Sequence, residues 1–308
     1  MIFDNILEAV GNTPLIRLSR MTGPEDAEVL VKYEGMNIGG SIKTRTALQM
    51  IEAAEKDGLL KPDSVIVEPT SGNQGIGLAL VGAVKGYRVI IIMPDSVSAE
   101  RRLLIKQYGA ELMLIHDDNN IGECIDRCIK TAKDLCTEHE NYFMPDQFSN
   151  YNNIRAHLFH TAQEILQQVD GPIHGFCSGI GTGGTITGIG QVLKEKNPDM
   201  LIWAAEPEHA AILSGGSIGS HLQMGIGDGL IPPILDQELI GQIEIVTDEE
   251  AIETTKQLTK KEGILCGISS GTNCCVALRM AKLLGKGKTV VTVLPDTGER
   301  YFSTELFQ

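Results

Sequence analysis

Lys43 stands in the stretch Asn37-Ile38-Gly39-Gly40-Ser41-Ile42-Lys43-Thr44-Arg45, directly behind two glycines and a serine. The apolar residues Ile42, Ala47, Leu48, Ile51 and Ala54 repeat at helical spacing, so Lys43 falls in the first turn of a helix that Ser41 can cap. A helix N-terminus holds roughly half a positive charge, which disfavours a second cation there. Most lysines are solvated surface groups. One set against the dipole behind Gly-Gly-Ser reads better as an amine kept for chemistry. Depressed from its ordinary pKa of about 10.4, such an amine can condense with an aldehyde to a Schiff base.

Two glycine-rich turns supply complementary chemistry. The first runs Pro69-Thr70-Ser71-Gly72-Asn73-Gln74-Gly75 between a strand and a helix. Its hydroxyls, amides and helix-terminal N–H groups suit a carboxylate. The second runs Gly179-Ile180-Gly181-Thr182-Gly183-Gly184-Thr185, again from strand to helix. Its bare backbone can wrap a phosphate, and Thr182 and Thr185 can add hydroxyl donors. One such turn could be glycine for geometry alone; two, with threonines inside, favour ligands. Gly179, Gly181 and Gly184 also satisfy G-x-G-x-x-G, with Glu206 ending the next strand where a dinucleotide fold holds its ribose. An NAD-binding oxidoreductase is therefore the rival reading. It leaves Lys43 and the first turn without a task, whereas an aldehyde carrying a phosphate ester uses all three.

The elements that must position these groups alternate. Apolar strands are expected at Glu28–Tyr33, Ser64–Glu68, Arg88–Met93, Glu111–Ile115, Ile173–Cys177, Leu201–Ala205, Ile243–Val246 and Thr289–Leu294. Helices are expected from Lys43, over Asn73–Val84, Ala99–Tyr108 and Ile121–Leu135, through Gln168, after the second glycine turn, and twice more before the last strand. Near-uniformly apolar strands such as Arg88–Met93 belong to parallel sheets covered on both faces, so the class is α/β. The polar stretch Pro145–Asn153 is the best place for the chain to cross between domains, and Ser214–Pro233 is expected to be irregular.

At 308 residues, with 42% hydrophobic and 21% charged residues, the chain has the composition of a soluble globular protein of two domains. A net charge of −14 without a basic stripe argues against nucleic acid. No apolar run approaches the roughly 20 residues of a membrane span, and the N-terminus lacks a signal-peptide pattern, so a cytoplasmic location is expected. The seven cysteines do not form a disulfide framework. Cys124 with Cys128, and His157 with His160 and Glu164, share helix faces but complete no metal set. They read as reduced thiols and helix-face histidines, as Cys274-Cys275 reads as packing.

Together these stretches resemble the cysteine synthase (O-acetylserine sulfhydrylase) family of fold-type II pyridoxal-phosphate enzymes, and also the catalytic core of cystathionine β-synthase. The resemblance rests on VGNTPLIRL at Val10–Leu18, NIGGSIKTR at Asn37–Arg45, PTSGNQGIGLA at Pro69–Ala79 and DQF at Asp146–Phe148. It continues through GTGGTITG at Gly181–Gly188, GIGDGLIP at Gly225–Pro232, GISSGT at Gly267–Thr272 and LPDTGERY at Leu294–Tyr301. Such ordered motifs over the whole chain are highly specific as a set.

The resemblance implies a two-domain, tryptophan synthase β-like fold with mainly parallel sheets covered by helices. A smaller unit of residues 1–12 and 35–146 and a larger one of 13–34 and 147–308 would hold pyridoxal 5′-phosphate between them. It implies a homodimer; nothing in the sequence supports a serine acetyltransferase partner. Lys43 matches the Schiff-base lysine, Asn73 the partner of the cofactor ring oxygen, and Gly181, Thr182, Gly183, Gly184 and Thr185 the phosphate loop. Ser269 matches the partner of the pyridine nitrogen. Thr70, Ser71, Gly72, Gln74 and Gln147 match the site of the substrate carboxylate. The implied reaction is β-elimination or β-replacement on a cysteine- or serine-type amino acid through an aminoacrylate.

Four departures mark a variant site: Ile38 where proline is usual, Thr44 for aspartate, Gln74 for threonine, and Asp228 for alanine in Gly-Ile-Gly-Ala-Gly. Asp228 sets an acid near the reacting centre, able to take a proton from attacking water and to repel an anionic substrate side chain. The expected reaction is cysteine plus water to serine plus hydrogen sulfide. The alternative is the ordinary sulfhydrylase, making cysteine from O-acetylserine and sulfide.

Overall fold

A computed structural model describes residues 2–117 and 121–308. Two sheets organise the chain. The strands are β1 (Leu15–Arg17), β2 (Glu28–Tyr33), β3 (Val65–Pro69), β4 (Arg88–Pro94), β5 (Glu111–Ile115), β6 (Tyr142–Phe143), β7 (Gly175–Gly179), β8 (Leu201–Pro207), β9 (Gln242–Val246) and β10 (Thr289–Leu294). One sheet runs β5-β4-β3-β6 and is wholly parallel. The other runs β1-β2-β10-β7-β8-β9 and is parallel except for the β1–β2 edge pair. The helices are α1 (Lys43–Lys56), α2 (Asn73–Lys85), α3 (Ala99–Gln107), α4 (Ile121–Glu138), α5 (Tyr151–Ala156), α6 (Ala162–Gln168), α7 (Gly184–Lys196), α8 (Asp248–Gln257) and α9 (Ile268–Leu284).

The uniformly apolar strands are explained by their two covered faces. In β4, Ile91 and Met93 join the core under α1 and α2, while Ile90 and Ile92 join the core that includes Cys124, Cys128 and Ala132 of α4. In β10, Val290 and Leu294 face one core and Val291 and Val293 the other. Alternation of side chains makes every position apolar when both faces are buried.

Most expected elements lie within two residues of their place. The helix expected to run through Gln168 does so, with one π-helical turn at His157–Thr161 inserted between α5 and α6. The strand expected from Ile173 begins at Gly175 and runs on to Gly179. The short strands β1 and β6 were not foreseen. Ser41 caps α1 as expected: it is extended, Ile42 after it is already helical, and the Ser41 hydroxyl accepts the Lys43 N–H at 3.4 Å. No helix of the described residues is long and apolar enough to cross a membrane.

Two features place α1. Gly77 lets α2 cross it closely: a Cβ there would stand 2.9 Å from the Lys43 carbonyl oxygen and 3.1 Å from the Ala47 methyl. Arg45, two residues after Lys43, is buried and forks onto two carboxylates. Its Nε and Nη2 donate to Glu34 at 2.8 and 2.9 Å, and its Nη1 and Nη2 donate to Glu164 at 2.6 and 2.8 Å. Lys32 of β2 also pairs with Glu164, at 2.7 Å. Two cations and two carboxylates thus tie the start of α1 to β2 and α6.

Removing one member of such a buried set leaves the others uncompensated, a loss of about 3–5 kcal/mol. Arg45→Met is therefore expected to lower stability by about that amount in urea unfolding monitored by circular dichroism. A change below about 1 kcal/mol would class the network with exposed, weakly coupled ion pairs.

Candidate active site

The carboxyl ends of the parallel strands converge on one cleft, where ligands of open α/β sheets bind. Lys43, Thr70, Ser71, Asn73, Gln74, Gln147, Gly181, Thr182, Gly183, Thr185, Asp228 and Ser269 all line it. The other two expected residues stand just behind it. Gly72 lies over the Arg101 side chain, whose Cδ would be 2.3 Å from a Cβ there. Gly184 opens α7 against Asn153.

Burial lowers the pKa of Lys43, opposed by the charges of Asp228 and then Asp296. Burial likewise raises Asp228, opposed by Lys43 and then His221. Taking both groups out of water favours their neutral forms. The amine is thereby moved toward the state that can add to a carbonyl.

Asn73 is held by groups that no sequence argument had picked out. Its Nδ2 donates to Asp296 at 2.7 Å, and its Oδ1 accepts from Arg300 at 2.5 Å. Arg300 also donates to the Gly39 carbonyl, and Tyr301 donates its hydroxyl to Asp296 at 2.8 Å. An arginine can only donate and a carboxylate only accept, so the amide orientation is determined, with one N–H left over. Arg101 is 2% exposed, borders the cleft and stacks on the Tyr301 ring at 4.6 Å. The signal that could have found it is the one that marked Lys43, a cation in the first turn of a helix.

In the first glycine turn, Thr70 Oγ1 accepts the Gly72 N–H at 3.2 Å. Gln74 Oε1 accepts from the Thr46 hydroxyl at 2.7 Å, and its buried Nε2 has no partner among the described residues. In the second turn, Asn153 donates to Thr182 Oγ1 at 2.9 Å and His157 Nε2 lies 3.4 Å from Thr185 Oγ1. Burial holds His157 well below the ordinary imidazole pKa. Glu164, read beside it in the sequence, faces Arg45 and Lys32 instead. Among the described residues no group of acidic, histidine or cysteine side chains is arranged to hold a metal. Cys128 borders the cleft as a thiol pushed up to about 12 by burial.

Pyridoxal phosphate fits this arrangement. The second glycine turn is packed too closely for side chains, which keeps its backbone bare: a Cβ on Gly181 would stand 2.5 Å from the Gly225 carbonyl oxygen, and one on Gly184 2.2 Å from Asn153 Oδ1. The turn leads into α7, whose first N–H groups have no intrahelical acceptor. Glu206 does not fit a dinucleotide, since it is spent on the Leu213 and Ser214 N–H groups at 2.8 and 3.1 Å and on the Ser214 hydroxyl.

A buried lysine with its pKa lowered, and two glycine turns that each open a helix onto the same cleft, suit an enzyme of the amino-acid Schiff-base class. The model of the pyridoxal-phosphate dependent enzyme family matches residues 6–296, and the chain belongs to that family. It is 49% identical over 305 residues to a cysteine synthase of Staphylococcus aureus, covering 99% of this chain and 97% of the relative. The structure of O-ureido-L-serine synthase superposes with a TM-score of 0.94 at 40% identity, covering 100% of this chain and 96% of that one. A hydrogen sulfide-producing enzyme of Fusobacterium nucleatum gives a TM-score of 0.91 at 40% identity, covering 97% and 100%. The chain is a pyridoxal-phosphate enzyme of the cysteine synthase family acting on small amino acids, and the NAD reading is overturned.

Gly184→Ala drives its methyl into Asn153 and so shifts the Thr182 hydroxyl that Asn153 holds. The variant is expected to lose pyridoxal phosphate on dialysis at least about tenfold faster than wild type, the effect of roughly one charge-assisted hydrogen bond. Equal retention, measured by absorbance, would contradict this account of the turn.

Proposed function

We propose that this enzyme converts cysteine and water to serine and hydrogen sulfide. The observation that carries the reading is Asp228, a carboxylate in the cleft beside Lys43. Its Oδ2 lies 3.6 Å from where a Cβ on Gly181 would stand. The cofactor, when bound, supplies an aldehyde to hold the substrate amine and a ring that draws electrons from its α-carbon.

The chain's own residues do the rest. Thr70, Ser71, Gln74 and Gln147 hold the substrate carboxylate, and the unpartnered Gln74 Nε2 is a donor suited to it. Gly181 to Thr185 would hold the phosphate, the spare N–H of Asn73 would be offered to the ring oxygen, and the Ser269 hydroxyl to the ring nitrogen. Lys43 Nζ takes the α-proton, and the Cβ–S bond breaks with its electron pair leaving on sulfur. Water then forms the Cβ–O bond and gives its proton to Asp228, while Lys43 returns the α-proton. Hydrosulfide and the proton from water leave together as hydrogen sulfide. A raised pKa suits Asp228 to act as a base near neutral pH.

The same residues support the second reading, a cysteine synthase joining O-acetylserine and sulfide, which the 49% identical S. aureus relative favours. A homodimer in the cytoplasm belongs to either reading. Product analysis with cysteine, serine and O-acetylserine, each with and without sulfide, separates the two. Cysteine alone is expected to give serine and sulfide in equal amounts. In Asp228→Asn that rate is expected to fall by about 10²–10⁴, as for loss of a general base, with cysteine still bound. Because burial raises the Asp228 pKa, serine formation should fall with decreasing pH already above the ordinary carboxylate range. That acid limb should vanish in the variant. Serine production by Asp228→Asn at the wild-type rate would make Asp228 structural and leave the sulfhydrylase reading in place.

A further inference from the structure

Glu68 has no part in the chemistry described above, yet it is fully buried at the carboxyl end of β3, directly before Pro69-Thr70-Ser71. Its two oxygens reach across to the turn that carries Gln147. Oε2 accepts the Asp146 N–H at 2.9 Å and Oε1 the Gln147 N–H at 3.0 Å. Asp146 has φ of +52°, a left-handed conformation rare for residues other than glycine. That conformation lets successive N–H groups point the same way, the geometry that gathers an anion. On the far side of the turn, Asn153 donates to the Gln147 carbonyl at 2.8 Å and to Thr182 Oγ1 at 2.9 Å. One carboxylate therefore joins the strand feeding the first glycine turn to the loop that completes the same pocket.

We propose that Glu68 is a positioning residue for amino-acid binding: by gripping both N–H groups it sets Gln147 against the substrate carboxylate, and the grip tightens when Glu68 ionises. This rests on the reading that Gln147 contacts that carboxylate. Glu68 has its pKa raised to about 8, by burial first, with the Gln147 and Asp146 N–H groups opposing and the Asp146 charge adding. The other titratable group facing it is Cys136 of α4, whose thiol pKa is pushed up by burial and then by the Glu68 charge. No cation stands among the groups that shift Glu68. Above that pKa the carboxylate accepts both N–H groups. Below it, a proton occupies one oxygen and weakens one of the two bonds.

The test is calorimetric titration of L-serine into the holoenzyme at pH 7 and pH 9, for wild type, Glu68→Gln, Gln147→Ala and the double variant. Serine is the product on the first functional reading and the substrate without its acetyl group on the second, and it carries the same carboxylate on both, so the choice between them does not enter. Gln147→Ala is expected to weaken serine binding about tenfold or more, the loss of one hydrogen bond to a charged group. Unchanged affinity there would remove Gln147 from the substrate, a failure of the underlying reading. Glu68→Gln is expected to weaken binding several-fold at pH 9 and little at pH 7, and to add nothing in the Gln147→Ala background. Titration of the serine amine cancels in the wild-type-to-variant ratio. A Gln147→Ala effect accompanied by no Glu68→Gln effect, or by an additive one, would overturn the proposal. Should Glu68→Gln fail to fold, hydrogen exchange in the wild type decides. Protection of the Gln147 amide, corrected for intrinsic rates, should rise between pH 7 and pH 9; a flat profile would refute the coupling.

Discussion

The structure depends on keeping one amine out of water. Lys43 begins α1, facing a cleft in which burial favours its neutral form while Asp228 and Asp296 pull the other way. A lysine so placed would be a liability in a protein with no use for it, because desolvation and the helix dipole both oppose its charge. Its position is accordingly over-determined. The Gly77 crossing sets the height of α1 against α2, and the forks of Arg45 onto Glu34 and Glu164 tie the helix to the other sheet.

The same logic extends around the cleft. Its walls come from two sheets, and groups that cross between them keep the pieces in register. Asp296, at the end of β10, receives Asn73 from the start of α2. Arg300 binds the other end of the Asn73 amide and the Gly39 carbonyl ahead of α1. Asn153 links the Gln147 turn to the second glycine turn. These side chains touch few reacting atoms, but they decide which hydrogen each amide presents. That is how buried polar networks confer geometry at a site.

Much of this was legible beforehand. Lys43, the two glycine turns and the alternation of strands and helices each reflect a local rule, so short windows reveal them. The glycine turns need a bare backbone, and the covered parallel strands need apolar residues at every position. The G-x-G-x-x-G reading failed because a spacing does not say whether Glu206 is free. It is consumed by the Leu213–Ser214 backbone eight residues on, a contact no periodicity encodes. Arg101, Asp296 and Arg300 were given no role because the partners that define one lie some 200 residues away in sequence, and Asn153 because it reaches Thr182 across 29 residues. Gln74 stood out by itself as a departure, and only the fold shows that the Thr46 hydroxyl anchors its amide. The π-helical turn at His157–Thr161, which brings His157 toward Thr185, likewise has no local signature.

On the proposed reading, the carboxylate of Asp228 beside Lys43 decides the origin of one oxygen atom. The direct measurement is mass spectrometry of serine formed when the holoenzyme consumes cysteine in ¹⁸O-labelled water. The account predicts one ¹⁸O per serine, on the side-chain hydroxyl, with one sulfide released for each. Cysteine left intact, while O-acetylserine and sulfide are joined to cysteine, would contradict it.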